Sequence, residues 1–102
     1  MNDLTEMVAE HLAGHGITVL DRDWQDPQEA HHLDLVAEQN GVIIVVMIRP
    51  ASALTKLSDS RVRLLRRALS RWMQAHGRRA DCISVVMANV KGRTVDSLEV
   101  MG

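Results

Sequence analysis

A mixed α/β sheet with helices on its faces is the fold this sequence predicts, and three features predict it. Apolar residues recur at helical spacing in two places, near the start and beyond the middle. Between them an alternating segment, an Asn-Gly turn and a continuous apolar run read as paired strands. A further apolar run follows the second helix, and a helix between two buried strands makes a right-handed crossover that leaves them parallel. The 102 residues suit one domain, spanning 1–102.

Leu4, Met7, Val8, His11 and Leu12 mark the first helix, over 4–13. Asn2 or Asp3 can cap it, Glu6 suits the positive end of its dipole, and Gly14 and Gly16 end it. Ile17 to Leu20 is a short β-branched strand, and the polar stretch from Asp21 to Ala30, with Pro27 inside it, reads as a loop. Leu33, Leu35 and Ala37 alternate with Asp34, Val36 and Glu38 as a strand. Asn40-Gly41 favours a tight hairpin, and Val42 to Ile48 then suits a strand buried on both faces, stopped by Pro50.

After a loop over 51–59, Asp59 or Ser60 can cap a helix running to about His76 and closed by Gly77. Val62, Leu65, Ala68, Leu69, Trp72 and Met73 form its apolar stripe. Arg63, Arg67 and Arg71 lie four apart on the opposite face, with Arg66 beside them. Cys82 to Val90 is an interior strand, Lys91-Gly92 a turn, and Thr94 to Val100 a last alternating strand.

Composition removes several function classes. The chain is 46% hydrophobic and 25% charged, which argues against disorder. Three acids and no lysine or arginine in the first twelve residues do not make a signal peptide. The longest apolar run is far short of the ~20 residues that span a bilayer, so no membrane role is expected and the cytoplasm is the expected location. Cys82 is the sole cysteine and reads as a buried thiol in an apolar run. The net charge of −1 conceals an asymmetry: residues 1–40 carry nine acids and one base, residues 41–102 eleven bases and four acids. Either the halves attract each other within one fold, or the basic half faces an anionic partner.

An acid on one strand, a hairpin, and a second strand leading into a helix is the frame of a metal-dependent nuclease site. That chemistry needs an Asp on the first strand and Glu-x-Lys on the second, where alternation puts Glu and Lys on one face. The carboxylates hold Mg²⁺ and the lysine orients or activates the attacking water.

The chain resembles the YraN family of restriction-endonuclease-like proteins, in order and over nearly its whole length. That family opens with a helix of the form Gly-Glu-x-x-Ala-x-x-Tyr-Leu, which falls on Thr5 to Leu12 and keeps Glu6 and Leu12. A glycine follows, here Gly16, and Leu-x-Arg-Asn-x-Arg falls on Leu20-Asp21-Arg22-Asp23-Trp24-Gln25. Gly-Glu-Ile-Asp-Leu-Ile-Ala falls on His31 to Ala37, so that Asp34 keeps the aspartate. Val-Phe-Val-Glu-Val-Lys-Thr-Arg falls on Val42 to Arg49, the basic helix on about Ser60 to Met73, and Arg-Phe-Asp-Val-Val on Arg79 to Ile83. The resemblance implies a restriction-endonuclease-like mixed sheet with flanking helices, in the order α-β-β-β-α-β-β. It also implies an ancestral Mg²⁺ site around Glu6, Asp34 and the Glu-x-Lys strand.

The departures fall on that site. The glutamate of Gly-Glu-Ile-Asp is His32, and Glu-x-Lys has become Val45 and Met47. Neither side chain supplies the oxygen donors Mg²⁺ takes, and Met47 cannot stabilise phosphate charge. The expectation is a catalytically degenerate nuclease-like domain, not an enzyme, with no cofactor and no metal. It would bind DNA or RNA through Arg63, Arg66, Arg67 and Arg71, or a protein partner. An active nuclease with ligands relocated to Glu6, His32, Asp34 and Glu38 is the alternative, and that one would need Mg²⁺. A homodimerisation module using an apolar sheet edge is a third reading.

Bland readings stand beside these. Asp34 reads equally as a hydrogen-bonded strand aspartate. His31, His32 and Asp34, or His11 with His15, have spacings a transition metal could use, but no CxxC or HExxH pattern supports a site. Without Phe or Tyr the chain lacks most of the usual base-stacking side chains. Trp72 and Met87 read as core, Met101 as terminal filler, and Trp24 as the more exposed aromatic.

Overall fold

A computed structural model describes residues 3–29, 31–52 and 57–102. The elements run α1 (Asp3–Gly14), β1 (Thr18–Gln25), β2 (His32–Gln39), β3 (Val42–Pro50), α2 (Asp59–Ala75), β4 (Cys82–Lys91) and β5 (Thr94–Val100). The five strands form one sheet in sequence order. β1, β2 and β3 pair antiparallel as a meander, β3 and β4 pair parallel through α2, and β5 returns antiparallel on β4. The expected α/β class and element order are present.

The β3 run is apolar without alternation because both its faces are covered. Val45 is fully buried in the cluster that α2 builds from Val62, Leu65, Ala68, Leu69 and Trp72 against the sheet. Val46, the next residue, lies in the cluster that α1 builds from Val8, Ala9 and Leu12. Burying one such aliphatic side chain contributes roughly 1.5–3 kcal/mol, so the two clusters together fix which helix lies on which face.

The turns follow local chemistry. Asn40 and Gly41 have φ of 53° and 80°, the double left-handed pair of a type I′ hairpin. A Cβ on Gly41 would also meet a carboxylate oxygen of Asp81 at 2.6 Å. At the end of α2, Gly77 adopts φ 62°, and the Arg78 amide donates to the Met73 carbonyl at 2.8 Å, closing a Schellman turn.

Several sequence expectations are corrected. Strand β1 continues to Gln25 through residues expected to be loop, because its polar side chains find partners on both helices. β3 runs past the expected end at Ile48 and stops at Pro50, as expected, with Pro50 paired to Val90. The cap of α2 is Ser58, whose hydroxyl accepts from the Arg61 amide, and not Asp59 or Ser60. Cys82 is exposed, since it is the first residue of β4 and precedes the part covered by α2. Trp24 packs partly buried against the α2 cluster. The expected cap Asn2 and residues 53–56 of the expected loop lie outside the described residues. Leu98 and Val100 stand exposed on the edge strand β5, 37% and 76% accessible. No helix among the described residues is long and apolar enough to cross a membrane.

Candidate functional site

The β2–β3 ladder runs from Gln39↔Val42 to Leu35↔Val46 and goes no further. At the next position Asp34 uses its side chain in place of its backbone: its Oδ2 accepts from the Ile48 amide at 2.8 Å. The strands therefore part at the aspartate that matches the nuclease motif, and the carboxylate is anchored there with 18% of the side chain exposed.

Strict alternation would put Leu33 and Leu35 on one face. Instead Leu33 packs with the α2 cluster and Leu35 with the α1 cluster. The neighbouring strand does the same: Arg22 reaches Glu6 of α1 at 2.7 Å while Trp24 packs with α2. Both strands turn over together, around Asp34 on β2 and around Asp23, at φ 51°, on β1. The turn brings Asp23, His32 and Asp34 together. His32 Nδ1 lies 3.1 Å from Asp34 Oδ1 and its Nε2 lies 3.4 Å from Asp23 Oδ1.

The two positions onto which the resemblance places Glu-x-Lys behave differently. Val45 is sealed in the α2 cluster. Met47, partly buried, lines a cavity of about 250 Å³ with Ile48, Arg49, Leu57, Arg61, Leu65 and Met87. Arg49 Nε donates to Asn89 Oδ1 at 2.9 Å, and the Asn89 amide donates on to Ser97 and Glu99. A nuclease-type Mg²⁺ site needs its second carboxylate on β3; Val45, which pairs with Val36, offers an isopropyl group inside the core, and Met47, just past the end of the ladder, a thioether. The donor set does not fit that ion.

Of the other relocated-ligand candidates, Glu6 is tied to Arg22, and Glu38 lies four residues along β2 from Asp34, which is roughly 13 Å in a strand. His31 sits 3.5 Å from Glu29, away from the His32 cluster. His15 Nδ1 lies 2.9 Å from the His11 carbonyl oxygen, a local contact on α1. Asp23, which the sequence reading passed over, completes the cluster. Its signal was present: it occupies the slot of the family's Asn in Leu-x-Arg-Asn, and only strand pairing sets it beside His32.

The arginine face of α2 is divided. Arg71 donates through Nε to Asp26 at 2.7 Å and lies 3.3 Å from Glu29. Arg67 donates to Glu29 at 3.1 Å. Arg66 donates to the Ile83 carbonyl at 3.1 Å. Arg63 is exposed, as is Arg61 two residues earlier. The acids of the first half thus take up the C-terminal part of the basic face and leave the N-terminal part outward. Asp26 is buried, and the Arg71 hydrogen bond holds its carboxyl below the ordinary 3.8. The Arg67 hydrogen bond does the same for Glu29, and Asp26 in turn raises Arg71.

A stability consequence follows from the lowered Asp26 value. The carboxylate's contribution is complete above the unfolded value near 3.8 and is lost as pH falls through the lower folded value. Asp26→Asn is expected to be less stable than wild type at pH 7, with the gap narrowing below about pH 4. Urea midpoints measured from pH 7 to 2.5 check this; parallel curves would mean the pair contributes nothing.

Comparison with known proteins places the chain. It matches the model of the uncharacterised protein family UPF0102 over residues 5–85. A UPF0102 protein of Nocardioides sp. is 31% identical over 107 residues, covering 94% of this chain and 85% of that protein. One of Clavibacter michiganensis subsp. michiganensis is 29% identical over 94 residues, covering 83% and 75%. One of Streptomyces coelicolor is 32% identical over 80 residues, covering 70% and 58%. The chain belongs to the uncharacterised protein family UPF0102, the YraN family.

Proposed function

We propose that this domain keeps a nuclease-like frame for binding nucleic acid and does not cut it. The observation that carries the reading is that β3 offers no carboxylate near Asp34: Val45 pairs with Val36 inside the core beneath α2, and Met47 is a partly buried thioether. In-line attack on a phosphodiester needs an ion and a charge stabiliser at that strand, and an aliphatic core supplies neither. Met47 replaces the lysine with a thioether, which has no charge to place near a phosphate.

Binding asks for less. Arg61 lines the cavity with Met47 and Arg49, and Arg63, two residues on, stands exposed on another side of the start of α2. Guanidinium groups suit phosphate oxygens bidentately. Arg67 and Arg71 hold the β1–β2 loop to α2. In this reading they are scaffold, and phosphate contact belongs to the N-terminal half of the helix.

Arg61→Glu with Arg63→Glu is expected to weaken duplex DNA binding and to lower the salt slope by about 2, because roughly 0.9 counterions per phosphate contact are no longer released. Fluorescence anisotropy between 50 and 200 mM salt measures both. Unchanged affinity removes α2 from the reading. DNA cleavage in Mg²⁺ or Mn²⁺ that Asp34→Ala abolishes would refute the non-cutting part.

A further inference from the structure

We propose that Asp23, His32 and Asp34 form a binding site for a divalent transition cation of the Zn²⁺ type. The site is separate from the nuclease-type Mg²⁺ arrangement, since two of its three side chains are not ligands there. It stands independently of the nucleic-acid reading.

Three donors converge from two paired strands. Their ligating atoms all lie within 4.8 Å of one another, the one such group among the described residues. Donors around Zn²⁺ sit at about 2.0–2.2 Å from the ion, so ligand atoms must approach one another to roughly 3.0–3.5 Å. One pair, His32 Nδ1 and Asp34 Oδ1 at 3.1 Å, is already there; Asp23 Oδ1 lies 3.4 Å from the other ring nitrogen, Nε2. A small rotation of the exposed Asp23 side chain brings in the third donor. Asp34 is the fixed member: Oδ2 is held by the Ile48 amide outside the cluster, which leaves Oδ1 turned to His32. Such an outer hydrogen bond is what orients a ligating carboxylate.

Charge and access agree with a cation. Two carboxylates face one imidazole, and Arg22, the nearest arginine in sequence, is drawn off to Glu6. Asp23 and His32 are about half exposed, so an ion and its waters can enter from solvent. The imidazole nitrogen sets the class. Mg²⁺ takes oxygen donors in strict octahedral geometry, whereas nitrogen with two carboxylates suits Zn²⁺ and its neighbours. Nδ1, beside Asp34 Oδ1, is the ring nitrogen that ligates, and Nε2 is released as Asp23 swings onto the ion. A bound ion would clamp β1 to β2 where both strands turn over.

Calorimetric titration of the chelator-treated protein with Zn²⁺ and with Mg²⁺ tests the site. The expected result is one Zn²⁺ bound per chain, at least tenfold tighter than Mg²⁺. His32→Ala and Asp34→Asn are each expected to lower Zn²⁺ affinity at least tenfold, and Asp23→Asn to lower it too. Circular dichroism checks that these variants are folded, and Arg93→Ala, at an exposed turn far along the chain, is expected to bind Zn²⁺ as wild type does. Zn²⁺ binding unchanged by His32→Ala, or lost instead in a His11→Ala, His15→Ala double variant, overturns the proposal. So does equal affinity for Mg²⁺ and Zn²⁺.

Discussion

Val45→Glu is expected to lower the stability of the domain by about 3–5 kcal/mol, the range seen when a charge is left buried without a partner. A chain of this size holds only about 5–15 kcal/mol in total, so the loss takes roughly a fifth or more of its stability. The reason is position: Val45 has no accessible surface and shares its cluster with Leu65, Leu69 and Trp72. Val45→Ala, which removes volume without adding charge, is the control and should cost less. Adding Met47→Lys to Val45→Glu restores the nuclease motif in sequence but not the surroundings that would hold it. Urea unfolding with and without Mg²⁺ is the measurement. Recovery of stability on adding Mg²⁺ would show that position 45 opens toward Asp34, and the non-cutting reading would fall with it.

Trp72→Ala is the second large effect, expected at about 3–5 kcal/mol for an aromatic truncated in a core. Trp72 is 1% exposed and is the largest side chain in the α2 cluster. It does more than fill volume. Its Nε1 donates to Asp21 Oδ2 at 2.7 Å, which ties α2 to β1, and its ring stacks on His76 with centroids 4.4 Å apart. Trp72→Phe keeps most of the packing and loses the hydrogen bond, worth about 0.5–1.5 kcal/mol net, or up to 3 because the acceptor is charged. The order wild type, Trp72→Phe, Trp72→Ala in urea midpoint is the expected ranking. Two equal losses would mean that the hydrogen bond, and not the packing, carries the residue's contribution.

These expectations depend on different levels of the chain. Periodicity was enough for the helices, because an amphipathic stripe such as Val62, Leu65, Leu69 and Trp72 has one way to be buried. The Asn40-Gly41 hairpin was equally legible, since two left-handed residues in succession call for these residue types. The polar stretch from Asp21 was not. Its acids looked like loop until α1 and α2 were in place to receive Arg22 and Asp21. The arginine face shows the same dependence. Spacing put Arg63, Arg67 and Arg71 on one side of a helix, but whether they meet phosphate or carboxylate depends on where Asp26 and Glu29 come to lie.

The amino-acid order alone determined the α/β class and the succession of elements, because these rest on local periodicity. Folding in three dimensions decided that Val45 is walled in, that half of the basic face is neutralised, and that Asp23 meets His32 and Asp34. Each of these is a pairing across many residues of chain, fixed by strand register and by the turnover of β1 and β2, and no local pattern encodes it.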